Sequence, residues 1–407
     1  MLKLRDYQEE PAKKAIEFFW GGLEKDHPII VQPTGSGKSV VIGHVANALE
    51  TGTMVLQPSK ELLEQNYKKF KEYGGEASIF SASMGLKEIG HTTFATIGSV
   101  KKVPHLFEHV RNILIDECHL LPPRKTKKHK DGSVTPGSMF MDFIENLPGV
   151  RVLGLTATPF RLKRYMDPFT DESYAKINML PNERPRFFNS FLHVTQIGEL
   201  YKGGYLAPIK NVELEWKGSN LRSNTTGAEY SDWSMAVAIK ENKIIERLPG
   251  IVRQSVEKGR KHRLVFVDTV ANAQRLASAV PSSACIHAET KPKERQEIID
   301  GFKSGKILTV FNVNVLTTGF DFPALDTIIL ARPTMSLALF MQMVGRGIRP
   351  SPEKKDCVLV DMCGNIQQFS PLEEIVYDRD SMSKWQVRDS QKVLSGVKMG
   401  GEKVIHI

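Results

Sequence analysis

The sequence predicts an α/β protein of two tandem lobes, each built on a mainly parallel sheet. Short apolar, β-branched runs alternate with helix-like stretches, as expected when helices cover both faces of a parallel sheet. The runs form two series, at 29–31, 54–56, 113–115 and 152–155, then at 264–267, 307–310, 328–330 and 358–360. Between the series the periodicity weakens and chain breakers gather: Asp167-Pro168, Pro181, Pro185, Gly203-Gly204 and Gly218. The expected organisation is a first lobe over 1–179, a connector or insertion over 180–249, a second lobe over 250–368 and a polar tail over 369–407.

Composition bounds the function. With 407 residues, 41% hydrophobic and 25% charged, the chain is large enough for more than one core. It holds no apolar run of about 18 residues to span a membrane. The opening Met1-Leu2-Lys3-Leu4-Arg5-Asp6 meets charge too early for a secretory signal. Cys118, Cys285, Cys357 and Cys363 are scattered, with no CxxC pair. A disulfide framework or zinc ribbon is therefore not expected, and a reducing cytoplasm, of a bacterium or a phage-infected cell, is. A net charge of +9 favours a polyanionic partner.

The first run leads into Gln32-Pro33-Thr34-Gly35-Ser36-Gly37-Lys38-Ser39, then a helix-like stretch over 40–49. A strand, a glycine-rich turn and Lys-Ser opening a helix is the context of a phosphate-binding loop. Its glycines let backbone N–H groups face the phosphates, and the helix N-terminus adds partial positive charge. Lys38 is expected to bridge the β- and γ-phosphates of ATP and Ser39 to ligate Mg²⁺. Gln32 stands where the strict pattern has its first glycine.

The run at 113–115 ends in Asp116-Glu117-Cys118-His119. Carboxylates at the carboxyl edge of a parallel sheet sit where ligands bind. Asp116 is expected to hold Mg²⁺, Glu117 to polarise the attacking water and His119 to sense the γ-phosphate. In the second lobe, Gln342-Met343-Val344-Gly345-Arg346-Gly347-Ile348-Arg349-Pro350 places Arg346 and Arg349 three apart, on one face if helical. Guanidinium forks suit phosphate, and the glycines permit close approach. No histidines or cysteines cluster with metal-ligand spacing, so Mg²⁺ with ATP is the one metal expected.

Together with Thr156-Ala157-Thr158, these segments resemble motifs I, II, III and VI of superfamily 2 helicases. Arg5-Asp6-Tyr7-Gln8 is similar to the Q-type motif, implying adenine recognition by Gln8 with Arg5 beside it. Gln57-Pro58-Ser59-Lys60-Glu61-Leu62, Thr96-Ile97-Gly98-Ser99 and Val265-Phe266-Val267-Asp268 resemble motifs Ia, Ib and IV. Thr317-Thr318-Gly319-Phe320-Asp321 resembles motif V, bringing Gly319 and Asp321 to the nucleotide. The resemblance implies two RecA-like lobes with ATP and Mg²⁺ between them and nucleic acid across both lobes, opposite the cleft. It implies phosphate contacts by Ser59, Thr96, Ser99, Thr156, Thr158, Thr269 and Thr317. The hydroxyls of motifs Ia, Ib and IV are equally suited to capping helices.

Residues 154–162, 312–321, 332–334 and 344–349 more narrowly resemble RadD-type bacterial DNA-repair helicases, in a likeness covering about residues 2–368. It implies an ATP-dependent helicase or translocase on branched or single-stranded DNA in recombination, repair or replication, with single-strand-binding or recombination proteins as partners. An ATP-switched clamp and an RNA-remodelling enzyme use the same motifs. Outside the pattern, Pro122-Pro123-Arg124-Lys125-Thr126-Lys127-Lys128-His129-Lys130 reads either as a solvated loop or as a cationic arm for nucleic acid.

Overall fold

In the computed structural model, residues 3–21, 26–121, 126–128, 134–136, 139–169, 173–184, 186–218, 220–316 and 320–399 are described. The first sheet has eight strands, in the order Ser190–Val194, Pro28–Val31, Arg151–Thr156, Asn112–Asp116, Thr53–Gln57, Thr92–Thr96, Ser78–Ser81 and Leu86–Lys87. Every neighbouring pair is parallel except the last. Pro28–Val31, Thr53–Gln57 and Asn112–Asp116 are buried along their whole length, which is why they read as unbroken apolar runs.

Three helices matter for the site: α1 (Asp6–Gly21), α2 (Lys38–Ala48) and α3 (Lys60–Glu72). Ser59 caps α3 by accepting from Leu62 N, and Leu63, Asn66 and Phe70 form its buried stripe at helical spacing. From Pro28–Val31 the chain passes through α2 to Thr53–Gln57, leaving room for Arg151–Thr156 and Asn112–Asp116 to enter later. That reversal opens a crevice at the carboxyl ends of Pro28–Val31 and Asn112–Asp116. The phosphate loop and the Asp116-Glu117 pair both lie there.

The second sheet is six-stranded and parallel, in the order Ile209–Glu213, Cys357–Asp361, Thr327–Leu330, Arg263–Phe266, Thr309–Asn312 and Ser283–Ile286. The strand expected at 307–310 is thus Thr309–Asn312. Among the described residues no helix is long and apolar enough to cross a membrane.

Three expectations need correction. The stretch 180–249 is not a separate connector: Ser190–Val194 pairs with Pro28–Val31 in the first sheet, and Ile209–Glu213 pairs with Cys357–Asp361 in the second. Both are edge strands, partly exposed, and polar residues interrupt each, so neither shows the unbroken apolar run of a fully buried strand. The described part of the tail, 369–399, carries a hairpin, Val376–Arg379 with Trp385–Arg388, packed back on the first lobe. There Trp385 lies 4.5 Å from Phe191 and the Tyr377 hydroxyl donates to Ala157 O at 3.1 Å. In the basic stretch, Thr126–Lys128 pairs with Val134–Pro136, so part of it is a two-stranded ribbon rather than loop. Arg124, Lys125 and Lys130 lie outside the described residues.

Candidate functional site

Gly35 and Gly37 adopt φ values of +84° and +80°, a left-handed geometry that turns the loop back over the start of α2. A Cβ on Gly37 would stand 2.5 Å from Gln8 Nε2. That closeness reflects a direct tie, because Gln8 Nε2 donates to Ser36 O at 2.7 Å and the Tyr7 hydroxyl to the same carbonyl at 2.9 Å. Gln8 Oε1 accepts from Arg5 N at 3.0 Å. Gln8, expected at the adenine, therefore also anchors α1 to the phosphate loop.

Lys38 opens α2 and its Nζ lies 3.2 Å from Asp116 Oδ1 and 2.5 Å from Glu117 Oε1. Burial disfavours the ammonium, yet the two carboxylates outweigh it and raise Lys38 above the ordinary lysine range. Burial works against the Glu117 carboxylate too, but Lys38 and then His119 hold it below the usual range. Glu117 itself takes a left-handed φ of +48° without being glycine. Strain of this kind persists where surrounding structure enforces it, commonly at functional sites.

His119 sits behind Glu117 and is nearly buried. Its Nδ1 is 2.8 Å from Thr156 Oγ1 and 3.4 Å from Glu117 Oε2, and its Nε2 is 3.4 Å from Gln342 Nε2 of the second lobe. Thr156 Oγ1 also accepts from Thr158 N at 3.0 Å.

The helix Leu337–Val344 carries Gln342 and stops at Gly345. A Cβ on Gly345 would fall 2.8 Å from the Thr34 side chain, so the second lobe's backbone rests directly on the phosphate loop. Arg346 and Arg349 consequently lie in the turn after the helix, not on it, contrary to the helical reading. They still converge: both Nη1 atoms donate to Phe320 O, at 2.7 and 3.2 Å. Arg349 also pairs with Asp321. Burial, with Arg349 adding to it, pulls the Arg346 guanidinium down to about 9. A buried cation of this kind favours an anionic ligand opposite it.

A single cavity of about 400 Å³ gathers these groups. It is lined by Arg5, Gln8, Pro33, Thr34, Gly35, Ser36, Gly37, Lys38, Ser39, Asp116 and Glu117 from the first lobe, and by Asp321, Gln342, Arg346 and Arg349 from the second. Sequence reasoning missed Leu62, Gln65 and Lys69, which line the same cavity from α3. Their i, i+3, i+7 spacing, on the face beside the Leu63–Asn66–Phe70 stripe, was the available signal. Thr317 and Gly319 lie outside the described residues.

The donor set fits Mg²⁺. Ser39 Oγ and the Asp116 carboxylate are hard oxygen donors lining the same cavity as the Lys38 ammonium, and Mg²⁺ takes few protein ligands when phosphates complete its shell. Among the described residues no group of three or more His, Cys, Asp and Glu side chains is placed to hold a metal by itself.

The nucleic-acid candidates divide. Thr156 and Thr158 are fully buried, Thr156 holding His119, so neither faces a ligand here. Thr96 is nearly buried and bonds Ser99 Oγ at 2.7 Å, while Ser99 Oγ accepts from Ala82 N at 2.8 Å. Ser59 and Thr269 cap helices, accepting from Leu62 N and Asn272 N at 3.4 and 3.3 Å. Ser59, Ser99 and Thr269 keep surface access.

Two family models match the chain: "Type III restriction enzyme, res subunit" over residues 1–161 and "Helicase conserved C-terminal domain" over residues 242–351. The first match holds seven of the first sheet's eight strands and the second holds four of the second sheet's six, with Ser190–Val194, Ile209–Glu213 and Cys357–Asp361 outside both.

The chain carries the two-domain core of the superfamily 2 helicases.

The "Putative ATP-dependent helicase IRC3" of Saccharomyces cerevisiae is 31% identical over 388 residues. The alignment covers 89% of this chain and 51% of that protein. Its counterpart irc3 of Schizosaccharomyces pombe is 26% identical over 389 residues, covering 91% and 59%. This chain thus spans somewhat over half the length of these relatives. The DNA 3'-5' translocase XPB2 of Sulfurisphaera tokodaii is 22% identical over 388 residues, covering 89% and 81%. Among solved structures, the Type ISP restriction-modification enzyme LlaBIII superposes with a TM-score of 0.61 at 16% identity, over 89% of this chain and 28% of that one. That likeness establishes the shared two-lobed fold.

Proposed function

We propose that this chain is an ATP-driven motor that moves along or remodels DNA, hydrolysing ATP between its two lobes. The observation that carries the reading is the shared cavity, with Lys38, Asp116 and Glu117 on one wall and Gln342, Arg346 and Arg349 on the other. In this reading Lys38 holds the β- and γ-phosphates, while Ser39 and Asp116 hold Mg²⁺, which supplies charge neutralisation when bound. Glu117, kept ionised by Lys38 and His119, orients water and accepts its proton. Arg346 and Arg349 stabilise charge that develops in transfer, a role worth about 10³–10⁵ in rate for arginine fingers. Because catalytic groups come from both lobes, hydrolysis is tied to their closure, and closure is what moves nucleic acid.

DNA is favoured over RNA by the named activity of the XPB2 relative, and a net charge of +9 suits either backbone. The segments 154–162 and 332–334 support the narrower likeness to RadD-type DNA-repair helicases, and with it a place in recombination or repair. The four free cysteines, three of them buried, fit a reducing compartment.

ATP turnover measured with matched single-stranded DNA, duplex DNA and RNA, beside displacement of an annealed strand, tests this reading. DNA should raise turnover several-fold and displacement should require hydrolysis. Stimulation by RNA alone would make the chain an RNA-remodelling enzyme. ATP-dependent DNA binding without displacement or translocation would make it a clamp.

A further inference from the structure

Two adjacent residues of α3 reach the two expected metal ligands, which lie on different elements. Gln65 Nε2 donates to Ser39 Oγ at 3.4 Å, at the start of α2. Asn66 Nδ2 donates to Asp116 Oδ2 at 2.8 Å, at the end of Asn112–Asp116. The other Asp116 oxygen is held by Glu117 N at 2.9 Å and Lys38 Nζ at 3.2 Å. Asn66 is thus the group that sets the free edge of this carboxylate.

Asn66 is a poor choice for stability. It is fully buried in a stripe otherwise made of Leu63 and Phe70, and its Oδ1 finds no partner. A buried, unsatisfied polar atom is costly, and what the Asn66 amide offers in return is its bond to the equally buried Asp116 carboxylate. What the amide achieves is orientation. A carboxylate buried beside Lys38 and Glu117 would otherwise rotate to give both oxygens to the ammonium, leaving none directed at a cation. Gln65 does the same for Ser39 from the cavity wall.

We propose that Asn66 and Gln65 are positioning residues for Mg²⁺, holding Asp116 and Ser39 in the orientation that the ion of bound ATP requires. This rests on the ATP-site reading above. The residues act through the ligands, Asn66 from a fully buried position and Gln65 from the cavity wall. Partners that orient metal ligands typically account for about 10–100-fold in metal affinity.

Fluorescent-ATP binding, titrated with Mg²⁺ and repeated in EDTA, separates this role from a structural one. Asn66→Ala and Gln65→Ala should each raise the Mg²⁺ half-point for tight binding by about 10-fold or more. Affinity in EDTA and thermal unfolding of Gln65→Ala, the partly exposed position, should stay near wild type. Asn66→Ser, which retains a donor, should recover part of the effect. Unchanged Mg²⁺ half-points in folded variants overturn the proposal, as does an equal loss of affinity in EDTA. Failure of the wild type to bind ATP at all would instead overturn the ATP-site reading.

Discussion

His119 of the first lobe and Gln342 of the second meet at 3.4 Å, Nε2 to Nε2, directly behind Glu117. The Gln342 amide nitrogen faces His119 Nε2, while His119 Nδ1 faces Thr156 and Glu117. A polar chain therefore runs from Lys38 through Glu117 and His119 into the far lobe.

Breaking this chain should uncouple the lobes more than it harms the chemistry. His119→Ala and Gln342→Ala should keep basal ATP turnover within several-fold and lose most of the stimulation by DNA. The double variant should be no worse than the poorer single one, giving an interaction energy of about 0.5–3 kcal/mol in a double-mutant cycle. Strict additivity would mean that the contact transmits nothing.

Glu117→Gln should bind ATP yet hydrolyse it about 10²–10⁴-fold more slowly, since an amide cannot take the proton of water. Equilibrium binding beside single-turnover hydrolysis checks this. Loss of ATP binding along with turnover would assign Glu117 a structural or metal-holding role.

The convergence of Lys38, Asp116 and Glu117 on one cavity was legible because phosphate chemistry restricts residue type at fixed spacing. Only glycine enters φ +80° freely at position 37, and only a strand ending in Asp116-Glu117 puts carboxylates at the sheet edge. What escaped reading follows the same physics. Thr92–Thr96 is buried throughout, yet three of its five residues are threonines, so no apolar run marks it. Edge strands such as Ile209–Glu213 lack the signature because water covers one side. Arg346 and Arg349 have helical spacing, but Gly345 ends the helix to let Thr34 approach. Thr156 shows the ambiguity of hydroxyls, its Oγ1 being taken up by His119 and Thr158 N rather than by phosphate.

Arg346→Ala should lower kcat by about 10³-fold while changing KM only several-fold, as expected of a group that acts on developing charge. Arg349→Ala should cost less, because Asp321 already shares its charge. Steady-state kinetics on both decides the assignment. An unchanged kcat in each would place the cationic catalyst elsewhere.

Gly37→Ala should destabilise the loop by about 1–2 kcal/mol from its left-handed backbone alone. Its new methyl also displaces Gln8, which lies within 2.5 Å of the Cβ position, so ATP affinity should fall as well. Gly250→Ala is the control: no atom lies within 4 Å of its Cβ position and the site is helical, so it should be neutral or slightly stabilising. Thermal melts with and without ATP compare them. Equal behaviour of the two would remove the steric account of the loop.

Replacing Arg124, Lys125, Lys127, Lys128 and Lys130 with Ser tests the cationic-arm reading of the basic stretch. DNA binding followed across a salt series should weaken and flatten, by about 0.9 in log–log slope for each phosphate no longer neutralised. Basal turnover should hardly change. Identical slopes would leave a solvated segment.

The most direct test of the two-lobed ATP motor is steady-state ATP hydrolysis with and without single-stranded DNA, wild type beside Lys38→Ala. The wild type should turn over ATP and accelerate on DNA, while folded Lys38→Ala, lacking the ammonium for the β- and γ-phosphates, should do neither. Near-normal hydrolysis by folded Lys38→Ala, or no hydrolysis by the wild type under any nucleic-acid condition, would contradict the account.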